Sequence, residues 1–175
     1  MATEAPSEVR ERITGYIKHN ANKSNQAVLD LIKQGHNQLV GLLDGLSDKQ
    51  AAFKASAEDW SVLEVLRHVV GSKRGVARRC SVLARGEASA SFEPADEVGA
   101  FASLSEARAA LDAGHQELLS SVRALTPDAN VGVTFDHPFF GALNCREWAV
   151  FQRIHEGDHA GQIEKIKATE GFIGA

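Results

Sequence analysis

The sequence predicts an all-α protein: a four-helix bundle with long crossover loops and a short extra N-terminal helix. Apolar residues recur at three- and four-residue steps over several long segments, two of these segments open on a helix-capping pattern, and little of the chain alternates with a period of two. Amphipathic helices bury their apolar stripes most simply by packing against one another. The length of 175 residues suits a single domain, with residues 1–22 as an N-terminal extension.

The first long helix is predicted between Ser24 and Leu46. Its apolar stripe follows helical spacing and consists of Val28, Leu31, Ile32, Leu39, Leu42, Leu43 and Leu46. A shorter amphipathic segment around Val9, Ile13 and Ile17 precedes this helix and accounts for the extra N-terminal one.

The second long helix is predicted to begin at Ser61. Glu64 follows three residues later, and this spacing is typical of a capping box, in which each side chain accepts a hydrogen bond from the other residue's backbone N–H. The helix should continue to about Arg85, ahead of Gly86. The third long helix is predicted over residues 105–125 from an apolar stripe at helical spacing, and Pro127 marks its end.

The last helix is predicted to begin at Asn144, where Glu147 completes a second capping-box pattern, and to continue to Gly171, which suits a C-cap. The long connections are then residues 86–103 and residues 126–143. The second connection contains the apolar sequence HPFFG, and such a loop can cover one end of a bundle and shape a pocket there.

The composition excludes several classes of function. The hydrophobic content is 43%, the charged content 24% and the net charge −4, so the chain lacks the basic surface that a nucleic-acid-binding protein needs. No apolar run approaches the roughly 20 residues of a membrane helix, and the first residues are charged, so we expect a cytoplasmic protein. Cys80 and Cys145 are far apart, which indicates neither a disulfide framework nor a thiolate metal site.

Two histidines in the last predicted helix are candidates for a metal site. His155 and His159 are four residues apart, so they lie on one helix face, together with Trp148 and Gln152, which should point into the bundle. Two imidazoles one turn apart can share an ion at about 2.0–2.1 Å. The alternative is a pair of core histidines that are satisfied by hydrogen bonds.

The same segment contains the letters H-E-x-x-H, the signature of many zinc peptidases. A peptidase needs a third ligand downstream, but Glu164 lies about 140° around the helix from His159, and Glu170 lies at the helix end. The sequence also lacks the strand-rich edge on which such enzymes hold an extended peptide. A zinc peptidase is therefore the least favoured hypothesis.

A third ligand has to come from another part of the chain. The candidates are His36, His68, His115 and, from the loop before the last helix, His137. Helical periodicity does not choose among them, since His115 lies in the middle of its helix's apolar stripe and His68 lies at the edge of its own.

Three segments carry a resemblance to a known family: DWSVLEVLRHVV (59–70), HPFFGALNCREW (137–148) and HEGDHAGQI (155–163). Together they resemble the DinB-like (DinB/YfiT) superfamily of four-helix-bundle proteins, in particular the branch with an HPFFG loop. This resemblance implies that three histidines bind one divalent metal ion, commonly Ni²⁺ or Zn²⁺. Matched position by position, the implied ligands are His68, His155 and His159.

A site of three neutral imidazoles leaves a coordination position open for a substrate. Glu156 is the candidate catalytic residue, since an acid beside a ligand can act on a bound water, and Glu64 could orient the ring of His68. In each case a solvated or capping role is the alternative.

The pocket of such a site is predicted to involve four residues: His137, Phe139, Phe140 and Gln162. The alternative for the loop residues is that they only cover the end of the core. Trp60 and Trp148 are assigned to the core.

The resemblance implies a metal-dependent enzyme, a transferase or hydrolase, and first of all an S-transferase that uses a low-molecular-weight thiol or another small-molecule substrate. A non-catalytic metal-binding or stress-related protein is the alternative, and a plain bundle whose histidines bind no metal is the third hypothesis. A homodimer is expected from the resemblance, although no interface can be named.

Overall fold

The computed structural model describes residues 7–87, 98–126 and 129–174. Its helices and strands in these ranges are α1 (Ser7–Ala21), α2 (Asn25–Leu42), α3 (Asp48–Ala51), α4 (Val62–Ala84), α5 (Leu104–Arg123), β1 (Thr134–His137), β2 (Gly141–Asn144) and α6 (Cys145–Lys167).

The four long helices α2, α4, α5 and α6 form the bundle. Helix α4 packs against α5 and α6, and α2 packs against α6 and α5, so the four helices close a ring in which α6 lies between α2 and α4. The short helix α1 packs mainly against α6. The predicted four-helix bundle with an extra N-terminal helix is confirmed.

The helix starts follow the predicted capping boxes. Ser61 Oγ accepts a hydrogen bond from the Glu64 backbone N–H at 3.2 Å, and the Ser61 N–H donates to Glu64 Oε2 at 2.7 Å. Asn144 and Glu147 make the equivalent exchange at the start of α6. The end of α6 differs from the prediction: the helix stops at Lys167, before the predicted cap at Gly171. These starts fix where the later histidines of α4 and α6 lie on their helices.

A small antiparallel hairpin occupies part of the second predicted loop. Strands β1 and β2 pair in the register His137↔Gly141, and the turn between them holds the middle of the HPFFG sequence. Gly141 has φ +72°, a value that glycine adopts without a side-chain clash. Trp148 Nε1 donates to the Phe135 carbonyl at 3.3 Å and ties the hairpin to α6. Residues 88–97 of the other predicted loop, and Pro127, lie outside the described residues.

The N-terminal helix is joined to the rest of the chain by both apolar and polar contacts. Ile17 and Ala21 are buried in the core. Arg146, in the first turn of α6, donates to the Ala21 carbonyl at 2.7 Å, to Asn25 Oδ1 at 2.9 Å and to the Lys23 carbonyl. The beginning of α6 therefore holds the connection between α1 and α2.

The core consists of two apolar clusters with a layer of buried polar side chains between them. Along each bundle helix, members of the two clusters flank a polar residue: in α2, for example, Ile32 and Leu39 lie on either side of His36. The polar layer comprises His36, Lys73, His115, Gln152 and Glu156. Every bundle helix thus contributes at least one polar group to the middle of the core.

No helix in the described ranges is both long enough and apolar enough to cross a bilayer. Cys80 and Cys145 are free thiols buried in the core. The Cys80 thiol donates to the Cys145 backbone carbonyl at 3.1 Å, and burial raises its pKa above the usual value.

Candidate metal centre

Three histidines from two helices meet at one edge of the bundle. His68 Nε2 lies 3.0 Å from His155 Nε2, which in turn lies 3.2 Å from His159 Nε2. One ring nitrogen from each histidine can be chosen so that all three lie within 4.8 Å of one another. His68 is exposed, whereas His155 and His159 are half-buried, so the cluster is open to solvent on the α4 side.

The spacing of these nitrogens suits a metal ion. Ligands at about 2.0–2.1 Å from a tetrahedral Zn²⁺ lie about 3.3 Å apart, close to the 3.0 and 3.2 Å that separate His155 Nε2 from its two neighbours. Hydrogen bonding alone explains the contacts poorly, because His155 Nε2 faces two ring nitrogens and can offer them only one N–H or one lone pair. A cation at the centre would engage one lone pair from each ring. The residues present therefore fit a divalent metal ion.

The local environment favours the neutral form of His155 and His68. Burial, followed by the neighbouring His159 and His68, lowers the pKa of His155 to about 2. Burial and then His159 also lower the pKa of His68. A metal ion would therefore meet unprotonated nitrogens on these two residues near neutral pH.

Gln162 fixes the orientation of one ring. Its Oε1 atom lies 2.8 Å from His159 Nδ1, and since an amide oxygen only accepts, Nδ1 carries the proton. The lone pair of His159 then lies on Nε2, the atom that faces the other two histidines. The amide orientation and the tautomer are assigned from this contact. Gln162, predicted as a pocket residue, thus contacts a candidate ligand directly.

Trp60 covers the outside of the cluster, which corrects its assignment to the core. The residue is 42% exposed, and its ring lies nearly parallel to the ring of His159, with an interplanar angle of 9° and centroids 6.5 Å apart. The ring of His68 is 5.4 Å away. Trp148, by contrast, is 3% exposed and belongs to the core, as predicted. The assignment to the core was wrong because it assumed that an indole in an amphipathic region packs inward. Trp60 instead directly precedes the helix cap at Ser61.

The other candidate ligands, His36, His115 and His137, are not part of this cluster. His36 and His115 stack on each other with centroids 3.8 Å apart, and His36 Nε2 lies 3.1 Å from Asp112 Oδ1. Burial and then the charge of Lys73 lower the pKa of His36 to about 4 and that of His115 to about 3, while Asp112 opposes the effect on His36. Both rings thus belong to the polar layer.

His137 lies in the hairpin, where Nδ1 accepts from the backbone N–H groups of Phe139 and Phe140 at 3.1 and 3.3 Å. Its ring packs on Phe151, with centroids 4.4 Å apart. Burial lowers its pKa to about 4. Phe139 is 44% exposed, and Phe140 packs against the core cluster.

The two acids with predicted roles make other contacts. Glu156 is fully buried and forms an ion pair with Lys73, so it does not join the group of atoms that could hold the metal. Burial raises the pKa of Glu156, and Lys73 counteracts this effect. Glu64 accepts from Ser61 and from Lys54 Nζ, and none of its hydrogen bonds reaches His68. Lys73 was not predicted to take part in the site, although a charged residue within the apolar stripe of α4 is a signal for it.

A cavity of about 220 Å³ lies beside the histidines. Trp60 and Gln162, which both contact His159, form part of its wall. The rest of the lining consists of Phe53, Ala55, Asp59, Lys165, Ile166 and Thr169. The hairpin residues predicted for the pocket do not line this cavity.

Comparisons with known proteins agree with this architecture. A family model described as the DinB superfamily matches residues 31–163. The chain is similar to the uncharacterized protein YuaE of Bacillus subtilis (strain 168), at 28% identity over 146 residues that cover 71% of this chain and 88% of that protein. It is also similar to the crystal structure of TT2238, a four-helix bundle protein, with a TM-score of 0.63 and 25% identity over 81% of this chain and 99% of that chain.

Proposed function

The chain belongs to the DinB superfamily, and from this membership and the histidine cluster we propose that it binds one divalent metal ion, Ni²⁺ or Zn²⁺, through His68, His155 and His159. The observation that carries the proposal is that ring nitrogens of three histidines from α4 and α6 lie within 4.8 Å of one another. The narrower assignment to the branch with an HPFFG loop remains a prediction.

We further propose that the protein is a metal-dependent enzyme that acts on a small molecule, with a low-molecular-weight thiol as the first candidate substrate. A divalent ion held by three imidazoles supplies Lewis acidity and lowers the pKa of a water or thiol that it coordinates. The open side of the cluster and the cavity bounded by Trp60 and Gln162 support access by a substrate. Gln162 would keep His159 in the tautomer that binds the ion.

Metal content tests the first part of the proposal. Purified protein is reconstituted with Ni²⁺ or Zn²⁺, dialysed and assayed for metal, and we expect one ion per chain. His68→Ala, His155→Ala and His159→Ala should each lose the ion, whereas His19→Ala, an exposed histidine of α1, is the matched control and should keep it. A substoichiometric trace of metal in the wild-type protein would remove the proposal.

Metal binding should also stabilise the fold. An ion at a free concentration 100 times its dissociation constant adds about 2.7 kcal/mol to the free energy of unfolding. The melting temperature should rise with Ni²⁺ or Zn²⁺ in the wild-type protein and stay constant in His155→Ala. If His155→Ala melts below the wild-type protein by the same amount with and without metal, this histidine has a core role instead.

The alternative is a non-catalytic metal-binding or stress-related protein, in which the ion only ties α4 to α6. It is favoured by the fact that all three ligands lie on these two neighbouring helices. A screen of the metal-loaded protein with common low-molecular-weight thiols and electrophiles separates the two functions. Conjugation that His155→Ala cannot perform would support the enzyme, and no conjugation with any pair would support the binding role.

A further inference from the structure

The polar layer is an unusual feature of an otherwise apolar core. It takes buried polar groups from all four bundle helices and lies between two apolar clusters. Burying such groups costs free energy even when they are paired. In packed helices, the best-attested benefit of a buried polar group is that it fixes the register of one helix against another.

Within this layer, the strongest contacts join α4 to α6. Lys73 on α4 and Glu156 on α6 form an ion pair, and the exposed fraction of both side chains is 0%. Ser72 Oγ, also on α4, donates to Gln152 Oε1 at 3.0 Å, and Gln152 Nε2 donates to Glu156 Oε1 at 3.3 Å. The ion pair and the Ser72–Gln152 hydrogen bond join the same two helices that carry the three histidines.

The ion pair and the histidines are close together along both helices. Glu156 directly follows His155 on α6, and Lys73 lies five residues after His68 on α4. Each residue of an α-helix advances by about 1.5 Å and turns by about 100°. A slip of α6 by one residue would therefore separate two buried charges while it moves His155 Nε2 away from His68 Nε2. The register that keeps the ion pair is the register that brings the ring nitrogens to 3.0 Å.

Helix α2 leaves room for the carboxylate. A Cβ atom at Gly35 would collide with Glu156 Oε2, so a side chain at this position would displace the carboxylate. On the opposite side, a Cβ atom at Gly114 of α5 would lie 3.5 Å from Lys73 Cβ, which is an ordinary van der Waals contact. The two glycines therefore differ sharply in how closely they approach the ion pair.

We propose that Lys73 and Glu156 are positioning residues for the metal centre, and that their buried pair fixes the register of α6 on α4 so that His155 and His159 meet His68. This inference rests on the proposed metal binding. It gives Glu156, the acid of the literal H-E-x-x-H sequence, a role in the interior of the bundle.

The double variant Lys73→Met/Glu156→Leu tests this role, because it replaces both charges with apolar groups of similar size. We expect it to fold, to bind Ni²⁺ about tenfold more weakly than the wild-type protein, and to show an altered visible spectrum when loaded with Co²⁺. Calorimetric titration and Co²⁺ absorption measure these two effects. Val76→Ala, a buried cavity variant on the same helix, is the control: it should lower the melting temperature and leave both metal readouts unchanged.

The outcomes separate this inference from the proposed function. A wild-type protein that binds neither Ni²⁺ nor Co²⁺ would overturn metal binding itself, and the positioning role with it. A wild-type protein that binds both, together with a folded double variant of equal affinity and identical Co²⁺ spectrum, would overturn only the positioning role.

If the double variant does not fold, Gly35→Ala and Gly114→Ala answer the same question. We expect a loss of Ni²⁺ affinity in Gly35→Ala alone, because only that methyl group displaces the Glu156 carboxylate. Equal affinities in these two variants would overturn the positioning role.

Discussion

Replacing Lys73 alone with methionine is expected to destabilise the protein strongly. Methionine keeps most of the volume of the lysine stem and removes the ammonium group, so the Glu156 carboxylate would remain in the core without its counter-ion. Both side chains are 0% exposed, so water cannot take the place of the lost charge without opening the core. Removal of one partner from such a pair costs about 3–5 kcal/mol.

This loss is a large part of the roughly 5–15 kcal/mol by which domains are stable. In a chain of this size, each kcal/mol of lost stability lowers the melting temperature by about 2–4 °C, so Lys73→Met should melt about 6–20 °C below the wild-type protein. Urea unfolding, extrapolated linearly to water, gives the free energy directly. The slope of that extrapolation should stay constant, since the variant exposes the same surface when it unfolds.

Lys54→Met is the matched control for this prediction. Lys54 forms an ion pair with Glu64 at 3.2 Å, but the side chains are 32% and 37% exposed, so the change should cost less than about 1 kcal/mol. Glu156→Leu should be destabilised like Lys73→Met, and the double variant should recover most of the loss. A Lys73→Met protein that unfolds at the same urea concentration as Lys54→Met would refute this account of the buried pair.

Three further predictions concern the site and the polar layer. Gln162→Leu should bind Ni²⁺ about tenfold more weakly, since it no longer fixes the tautomer of His159, and a calorimetric titration with wild-type affinity would contradict this. Bound Ni²⁺ should quench the fluorescence of Trp60, whose ring stacks on that histidine, and quenching that persists in Trp60→Phe would place the ion elsewhere. The folded-state pKa values of His36 and His115 are about 4 and about 3, below the unfolded value of about 6.5. At a pH between the folded and unfolded pKa values, the unfolded chain therefore binds more protons than the folded one. Stability should therefore fall as the pH drops from 6.5 toward 4, by at most about 1.4 kcal/mol per pH unit for each histidine, and His115→Phe should show a shallower dependence of its urea midpoint on pH.

The helices could be predicted from sequence because their signals are local. Two helix starts are each encoded within four residues, by Ser61 with Glu64 and by Asn144 with Glu147. Both capping boxes are present in the structure. Helix α3 was not predicted, because it is only four residues long and too short to show a periodic stripe. The end of α6 was placed too late, since Gly171 adopts φ +89° in a turn that follows the helix.

The site was predictable only in part, because its geometry depends on contacts between distant segments. The spacing of His155 and His159 indicated a shared helix face, but periodicity could not choose between His68 and His115, and family resemblance made that choice. The buried ion pair of Lys73 could not be predicted from the sequence, since a lysine within an apolar stripe normally extends its ammonium group to solvent. Its burial follows from a carboxylate 83 residues further along the chain.

The hydrogen bonds of Arg146 bear on the order in which the chain acquires its fold during synthesis. The guanidinium joins the connection between the first two helices to the start of the last one, across more than 120 residues of sequence. As the polypeptide leaves the ribosome, α1 therefore waits for its main packing partner until residues 145–167 have been made. Until then its apolar face stays in water, where chaperones and proteases can reach it.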